Sequence, residues 1–402
     1  MRASHFFSGR IRRMKINYAT RITHHFLTLN LVALLLAGCQ PQPIATQPNV
    51  IMTAAFETAM AQISKPTETH APTETPVPTA TILRTPPALP VTYQTSLLKP
   101  EDLPRTYVTD SCQYLKNKWN PNNSAPGTVV MPIMFHGINK GEASGNNITV
   151  TEHKKLMNDL HEMGFQAINM QQMADFMYSN AKISQRSVLL IVDDRKYSEF
   201  FNDHFRPYHE QWGWPVISGW ISGFGGEDAV LPENLQLSTE GWIDYQAHGY
   251  IHNIPVTNSS TDEFIIAEMQ GSITNLQTYF KKTPIAYIWP GGGFSARAVE
   301  IGIQLGYKLG FTVNPRGPVM YNWIPQADTV NQSNPMAIPE TPAKNPLMTL
   351  PRYWDTDARN QLDNVRAISE QAAQYAEQNK ATELEYYDIV CAPTYGPIPS
   401  TP

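Results

Sequence analysis

The sequence predicts an α/β fold, a closed or partly open barrel of parallel strands wrapped by helices, on three observations. From residue 125 onward, apolar runs alternate with helical stripes through about seven strand and helix units, a pattern that implies a parallel sheet with helical crossovers. One of the runs, SVLLIVDD at 187–194, is continuously apolar from Val188 to Val192, as expected of a strand covered on both faces. No glycine-rich phosphate fingerprint follows any strand, which removes the main support for an open dinucleotide-binding sheet.

The elements follow in order. A first strand occupies 128–135 within TVVMPIMFHGI, and a helix lies in TVTEHKKLMNDLHEMGF. There Thr149 and Glu152 have capping-box spacing, Leu156, Met157, Leu160 and Met163 make the apolar stripe, and Gly164 marks the stop. FQAIN reads as the second strand, MQQMADFMYS as a helix, SVLLIVDD as the third strand, and 198–212 as one helix. PVISGWIS and WIDYQAH are the next strands, followed by the helix DEFIIAEMQGSITNLQTYFKK. IAYIWP, the helix SARAVEIGIQLGY and the strand KLGFTVN complete the set. Residues 318–346 lack a period, which predicts a long loop over the barrel's face that shapes a groove.

The chain before the barrel reads differently. Arg10, Arg12, Arg13, Lys15 and Arg21 precede the apolar run FLTLNLVALLLAGC, which is too short for an ordinary membrane span and reads as an export signal over 1–39. Its end, Leu36-Ala37-Gly38-Cys39, resembles a bacterial lipobox, which implies lipidation at Cys39, an extracytoplasmic location and a membrane anchor. A start at Met14 would give a more usual signal length. Residues 40–98 are rich in Pro and Thr and cannot offset chain entropy, so they read as an extended tether. The folded domain is then 99–402.

Composition bounds the rest. With 42% hydrophobic residues the 402-residue chain can fill a large core, while a net charge of −5 leaves no basic patch for nucleic acid. Of the three cysteines, Cys112 and Cys391 remain after Cys39, one near each end of the folded region. In an oxidising compartment they either bridge, which a barrel's adjacent termini favour, or are two buried thiols.

In such barrels the chemistry sits where strands end. His136 follows strand one, Asp193 and Asp194 strand three, His248 and His252 strand five, and the turn from Pro290 through Gly291 follows strand six. Asp193 and Asp194 alone read equally as helix caps. Together with two imidazoles four residues apart they make a carboxylate-plus-histidine set suited to a divalent metal, with the second carboxylate free to act as base. Trp220, Phe224, Tyr250, Trp289, Phe294 and Trp354 lie near strand ends, where two or three could form faces for sugar rings and the others fill the core.

From about residue 125 to 350 the chain resembles the polysaccharide deacetylase family. LLIVDDRKYS, AHGYIHN, IAYIWPGGGFSARAVEIGIQLGYKLGFT and MPIMFHGI match its motifs in the right order. The resemblance implies an irregular (β/α) barrel and a metal-dependent deacetylase acting on N- or O-acetyl groups of a polysaccharide or oligosaccharide. It implies Asp194, His248 and His252 as ligands of one divalent ion, Asp193 as general base, and the Gly291 amide as an oxyanion donor. Zinc is the default ion from the ligand types, with cobalt or nickel as alternatives.

Departures from the family pattern are specific. Arg195 stands where a glycine is usual, Gly249 replaces a small hydroxyl residue, and Ile288 replaces a common arginine. Arg195 is either the missing charge partner of Asp193 or a solvent-facing side chain. No histidine occurs after His252, where the family commonly has its general acid, and LMTLPRYW offers Arg352 and Tyr353 instead. Arginine does not donate its proton, though it could steady an oxyanion. His136 is either a substitute acid or a hydrogen-bonded structural residue. Two functions follow, a lipid-anchored deacetylase and a degenerate glycan-binding or structural lipoprotein without turnover. Hydrolysis of other amides would use the same residues.

Overall fold

The computed structural model describes residues 84–142, 145–223, 228–251, 254–335 and 337–399. The signal, Cys39, most of the tether, Phe224 and His252 lie outside the described residues. The folded unit runs from Thr81 to Pro402. Folding therefore begins earlier than residue 99, because Tyr93, Leu97 and Leu98 supply apolar side chains that pack on the main core.

Eight strands form one parallel sheet: β1 (Val129–Phe135), β2 (Gln166–Ala167), β3 (Arg186–Val192), β4 (Val216–Trp220), β5 (Ile243–Ala247), β6 (Ala286–Ile288), β7 (Leu309–Phe311) and β8 (Tyr353–Trp354). Seven follow the path β7-β6-β5-β4-β3-β1-β8, with the two-residue β2 beside the start of β3. The irregular barrel is thus an α/β curled sheet in which β1 and β3 pair directly over all seven residues of each. The edges meet through one short run. Leu350 bridges Phe311 of β7, and Tyr353 and Trp354 pair with Ile133 and Met134 of β1.

Strand alternation sorts the side chains. Met131, Ile133, Leu190, Val192 and Tyr287 face the helices, whereas Val130, Leu189, Ile191, Ile217, Ile288 and Phe311 face inward. The helix α1 (Ser111–Trp119) precedes the barrel. Helix α2 (Val150–Glu162) is capped by the Thr149 side chain on the Glu152 amide and buries Leu156, Met157 and Leu160. Helix α3 (Met170–Ser179) instead joins the inward cluster through Met170, Met173, Phe176 and Met177. The expected helix over 198–212 is two, α4 (Ser198–His204) and α5 (Arg206–Trp212), broken at Phe205 just before Pro207.

Helix α6 (Val230–Ser238) follows β4, α7 (Asp262–Phe280) follows β5, and α8 (Ala296–Gln304) follows β6. A 32-residue helix, α9 (Asp355–Tyr386), leaves β8 and lies along α2 and β1. Beyond it Cys391 is disulfide-bonded to Cys112 of α1. The segment 318–327 does not shape a groove over the strand ends. Val319 pairs with Val130, the second residue of β1, so the segment lies at the opposite end of the barrel and buries Val319, Trp323 and Ile324.

Candidate active site

Inward alternation carries β1, β3 and β5 to His136, Asp193 and His248 at one end of the barrel. Asp193 is the hub. It is buried, and Arg352 clasps it with two hydrogen bonds, Nη1 to Oδ1 at 2.6 Å and Nη2 to Oδ2 at 2.9 Å. Arg352 is itself fully buried and spends its Nε–H on the Thr312 carbonyl at 2.7 Å. It sits in the run that joins β7 to β1, so barrel closure and the orientation of Asp193 depend on the same few residues. Burial alone would raise the Asp193 pKa, but Arg352 and His248 outweigh it and hold the carboxyl below its ordinary value.

Asp194 has φ +67°, a left-handed conformation that Asp tolerates better than most residues. A strand continuing from Asp193 would send Asp194 outward. The turn instead leaves its Oδ1 3.7 Å from His248 Nε2. Lys196 lies 3.7 Å from its other oxygen. Burial opposes ionisation of Asp194, and His248, Lys196 and His136 together overcome it, so its pKa is lowered.

His248 is buried, with Nδ1 2.8 Å from the Ile288 carbonyl. A carbonyl can only accept, so Nδ1 carries the proton and the Nε2 lone pair faces the carboxylates. The contacts of Nε2, 3.7 Å to Asp194 and 4.0 Å to Asp193, are too long for hydrogen bonds. Burial favours neutral His248, yet the two aspartates raise its pKa overall. An oriented lone pair facing an ionised carboxylate across such a gap fits a shared divalent cation. Among the described residues no group of three such ligands assembles, His252 lying outside them.

His136 Nε2 is 3.5 Å from Asp193 Oδ2, and its ring stacks on Trp354 at 5.4 Å. Burial leads the lowering of its pKa, partly offset by Asp193. Gly291 is exposed with φ +56°, in a turn where an added Cβ would come 3.1 Å from Pro255.

Several expectations need correction. Arg195 is not the charge partner of Asp193: it pairs with Asp228 and lies over the Trp220 ring, because the left-handed turn at Asp194 redirects the chain. Arg352 fills that role, and its guanidinium is committed to Asp193 and Thr312 rather than held free for an oxyanion. Trp289 offers no face to a sugar, being fully buried on the helix-facing side with its indole N–H on the Met348 carbonyl. Trp220 and Phe294 are likewise buried, whereas Tyr250 and Trp354 keep exposed surface.

One contributor has no motif. Glu268 of α7 is buried and accepts the amides of Tyr250 and Ile251 at 2.8 and 3.0 Å, bracing the loop between the two histidines. Gly249 is explained by the same brace: at φ +85° an added Cβ would lie 2.9 Å from Glu268 Oε2 and from Pro290. The signal for Glu268 in the sequence is a lone acid on the apolar face of a helix, which must find a donor.

A curled parallel barrel whose strand ends gather an aspartate pair and an oriented histidine defines the class of site. Residues 183–310 match the polysaccharide deacetylase family model. The match includes Asp193, Asp194, His248, His252 and Gly291 and stops short of Arg352. A deacetylase from Streptococcus pyogenes solved with acetate is similar at 17% identity and TM-score 0.47, over 60% of this chain and 99% of that one. A polysaccharide deacetylase from Bacillus cereus gives 15% and 0.44 over 59% and 68%. IcaB from Ammonifex degensii gives 14% and 0.44 over 62% and 100%. No curated protein matches the sequence.

Proposed function

We propose that the protein is an extracytoplasmic, metal-dependent carbohydrate deacetylase, anchored as a lipoprotein through Cys39, that hydrolyses acetyl groups of a glycan. The observation that carries this reading is the bidentate Arg352–Asp193 pair beside Asp194 and an oriented His248. Arg352 keeps Asp193 ionised and fixed in direction, which a general base requires.

Asp194 and His248, with His252, would hold one divalent ion, zinc by default. Such an ion, when bound, polarises the acetyl carbonyl and acidifies its water. Asp193 accepts the proton of the attacking water, and the Gly291 amide donates to the developing oxyanion. His136 Nε2, 3.5 Å from Asp193, can relay that proton to the departing nitrogen or oxygen, the work of the absent late histidine. Tyr250 and Trp354 offer partly exposed rings beside these groups.

The test is metal content and acetate release for the purified chain, beside an Asp194→Ala variant. About one ion per chain, lost in the variant along with acetate release from N-acetylglucosamine oligomers, supports the reading. A chain that retains no metal and releases no acetate is instead the non-turnover glycan-binding or structural lipoprotein that the missing late histidine favours.

A further inference from the structure

A second cleft opens at the other end of the barrel, beside the start of β1. Its volume is about 460 Å³, within the size range of small-molecule sites. The strap 89–93, the turn 320–323 and the side of α9 around Tyr375 wall it. From the strand ends that carry Asp193 it is separated by the length of β1, about 20 Å.

Among the aromatic residues of the lining, Tyr93, Tyr114 and Tyr375 keep exposed surface and are backed by the buried Tyr321 and Trp323. Tyr93 stacks on Trp323 at 5.8 Å and tilts against Tyr375 at 5.6 Å, while Tyr114 stacks on Tyr321 at 5.9 Å. Trp323 donates its indole N–H to the Tyr93 carbonyl at 2.9 Å, and the Tyr375 hydroxyl donates to the Val91 carbonyl at 2.8 Å. The two charged side chains of the lining, Lys118 and Glu383, pair with each other at 2.8 Å and present no net charge. Thr92, Thr106, Thr109 and Ser111 add hydroxyls that, among the described residues, have no protein hydrogen-bond partner.

We propose that this cleft binds a neutral saccharide segment. A pyranose presents an apolar C–H face to stack on a ring and a rim of hydroxyls to pair with Thr and Ser, and the lining supplies both. The internal Lys118–Glu383 pair leaves no charge to attract a phosphate or an ammonium. A wholly apolar ligand would strip water from the hydroxyls without replacing it. The inference rests on the reading of the substrate as a glycan. It adds that a non-reacting stretch of polymer is held far from the acetyl group, raising the local concentration of the reacting stretch.

The experiment is calorimetric titration of the β-1,4-linked N-acetylglucosamine trimer into the full chain in detergent, beside Tyr375→Ala and the space-filling Thr106→Trp. Both changes lie a barrel length from the reacting groups, so any difference reports the cleft. Each variant is expected to weaken binding by roughly fivefold or more, Tyr375→Ala by loss of one stacked ring and Thr106→Trp by filling the cleft, with acetate release from a small acetyl ester unchanged. Circular dichroism of each variant checks folding, and Thr106→Trp, at an exposed position, guards against collapse of Tyr375→Ala. Wild-type affinity in both variants, no binding of the trimer to the wild type, or tighter binding of a proline-rich peptide than of the trimer would overturn the proposal. Binding without acetate release would instead count against the deacetylase reading and leave this one standing.

Discussion

Two buried arginines do opposite work. Arg316 is shared: its Nε reaches both oxygens of Glu340 at 2.8 and 2.7 Å, Nη1 reaches Asp102 at 2.7 Å, and Nη2 the Ile338 carbonyl at 3.0 Å. Arg352 serves one carboxylate, and beyond its short bonds the neighbours of Asp193 stand back at 3.5 and 4.0 Å. Burial wins at the shared centre, where Asp102 and Glu340 are both pushed up, and loses at Asp193, which is held down. A structural ion network closes on itself. A reactive one keeps a dedicated partner and leaves room for something else.

The strongest way to break this distinction is to remove each guanidinium. Arg352→Met is expected to lower kcat/KM for acetate release by roughly a hundredfold or more. Arg316→Met should cost about 3–5 kcal/mol of stability, measured by denaturant titration, as expected when a buried pair loses one partner. Its activity per folded molecule should stay within about twofold of the wild type: Asn314 touches both centres, its side chain donating to Glu340 and its carbonyl accepting the Arg352 amide at 3.2 Å, but the Arg352–Asp193 bonds themselves are untouched. Equal losses of activity in the two variants would erase the contrast.

Asp355 extends the comparison to a buried carboxyl with no cationic partner among the described residues. Neither of its oxygens has a side-chain partner, and burial, with Asp193 nearby, pushes its pKa up to about 7. The folded state therefore holds a proton that the unfolded chain releases, so stability is present below the ordinary carboxyl value of 3.8 and lost as pH rises to about 7. Asp355→Asn is expected to raise Tm at pH 8 and to lose that advantage below pH 4. A constant gain across pH would mean that Asp355 stays ionised.

His153 sharpens the opposite sign. Burial among Phe135, Phe205 and Tyr208 pushes its pKa down to about 3 from 6.5. Its neutral form fits the fold, so the benefit is intact above about pH 6.5 and lost as pH falls toward 3. In His153→Phe the fall of stability over that window should be shallower. An unchanged acid slope would assign acid unfolding to other groups.

These cases mark what a sequence carries. SVLLIVDD was legible as a covered strand because burial on both faces leaves no polar position from Val188 to Val192. Asp194 and His248 were legible because each ends a strand. The Arg352–Asp193 pair was not, since its members are 159 positions apart and only closure of the barrel joins them. Yet an arginine inside LMTLPRYW carries a clue, for a charge among apolar neighbours must be buried with a carboxylate. Ala358, Leu362, Val365, Ile368, Ala372 and Ala376 recur every three or four residues and announce α9 as plainly as the stripe of α2. The place of 318–327 at the far end was illegible because its pairing with Val130 is a single non-local bridge.

The length of α9 has a directional consequence. It begins at Asp355, level with the reactive strand ends, and 32 residues at 1.5 Å each carry it about 48 Å toward the opposite pole. Beyond its last turn Asp388 meets Arg84, the first described residue, at 2.6 Å. Asp193 and Arg84 therefore stand toward opposite ends of α9.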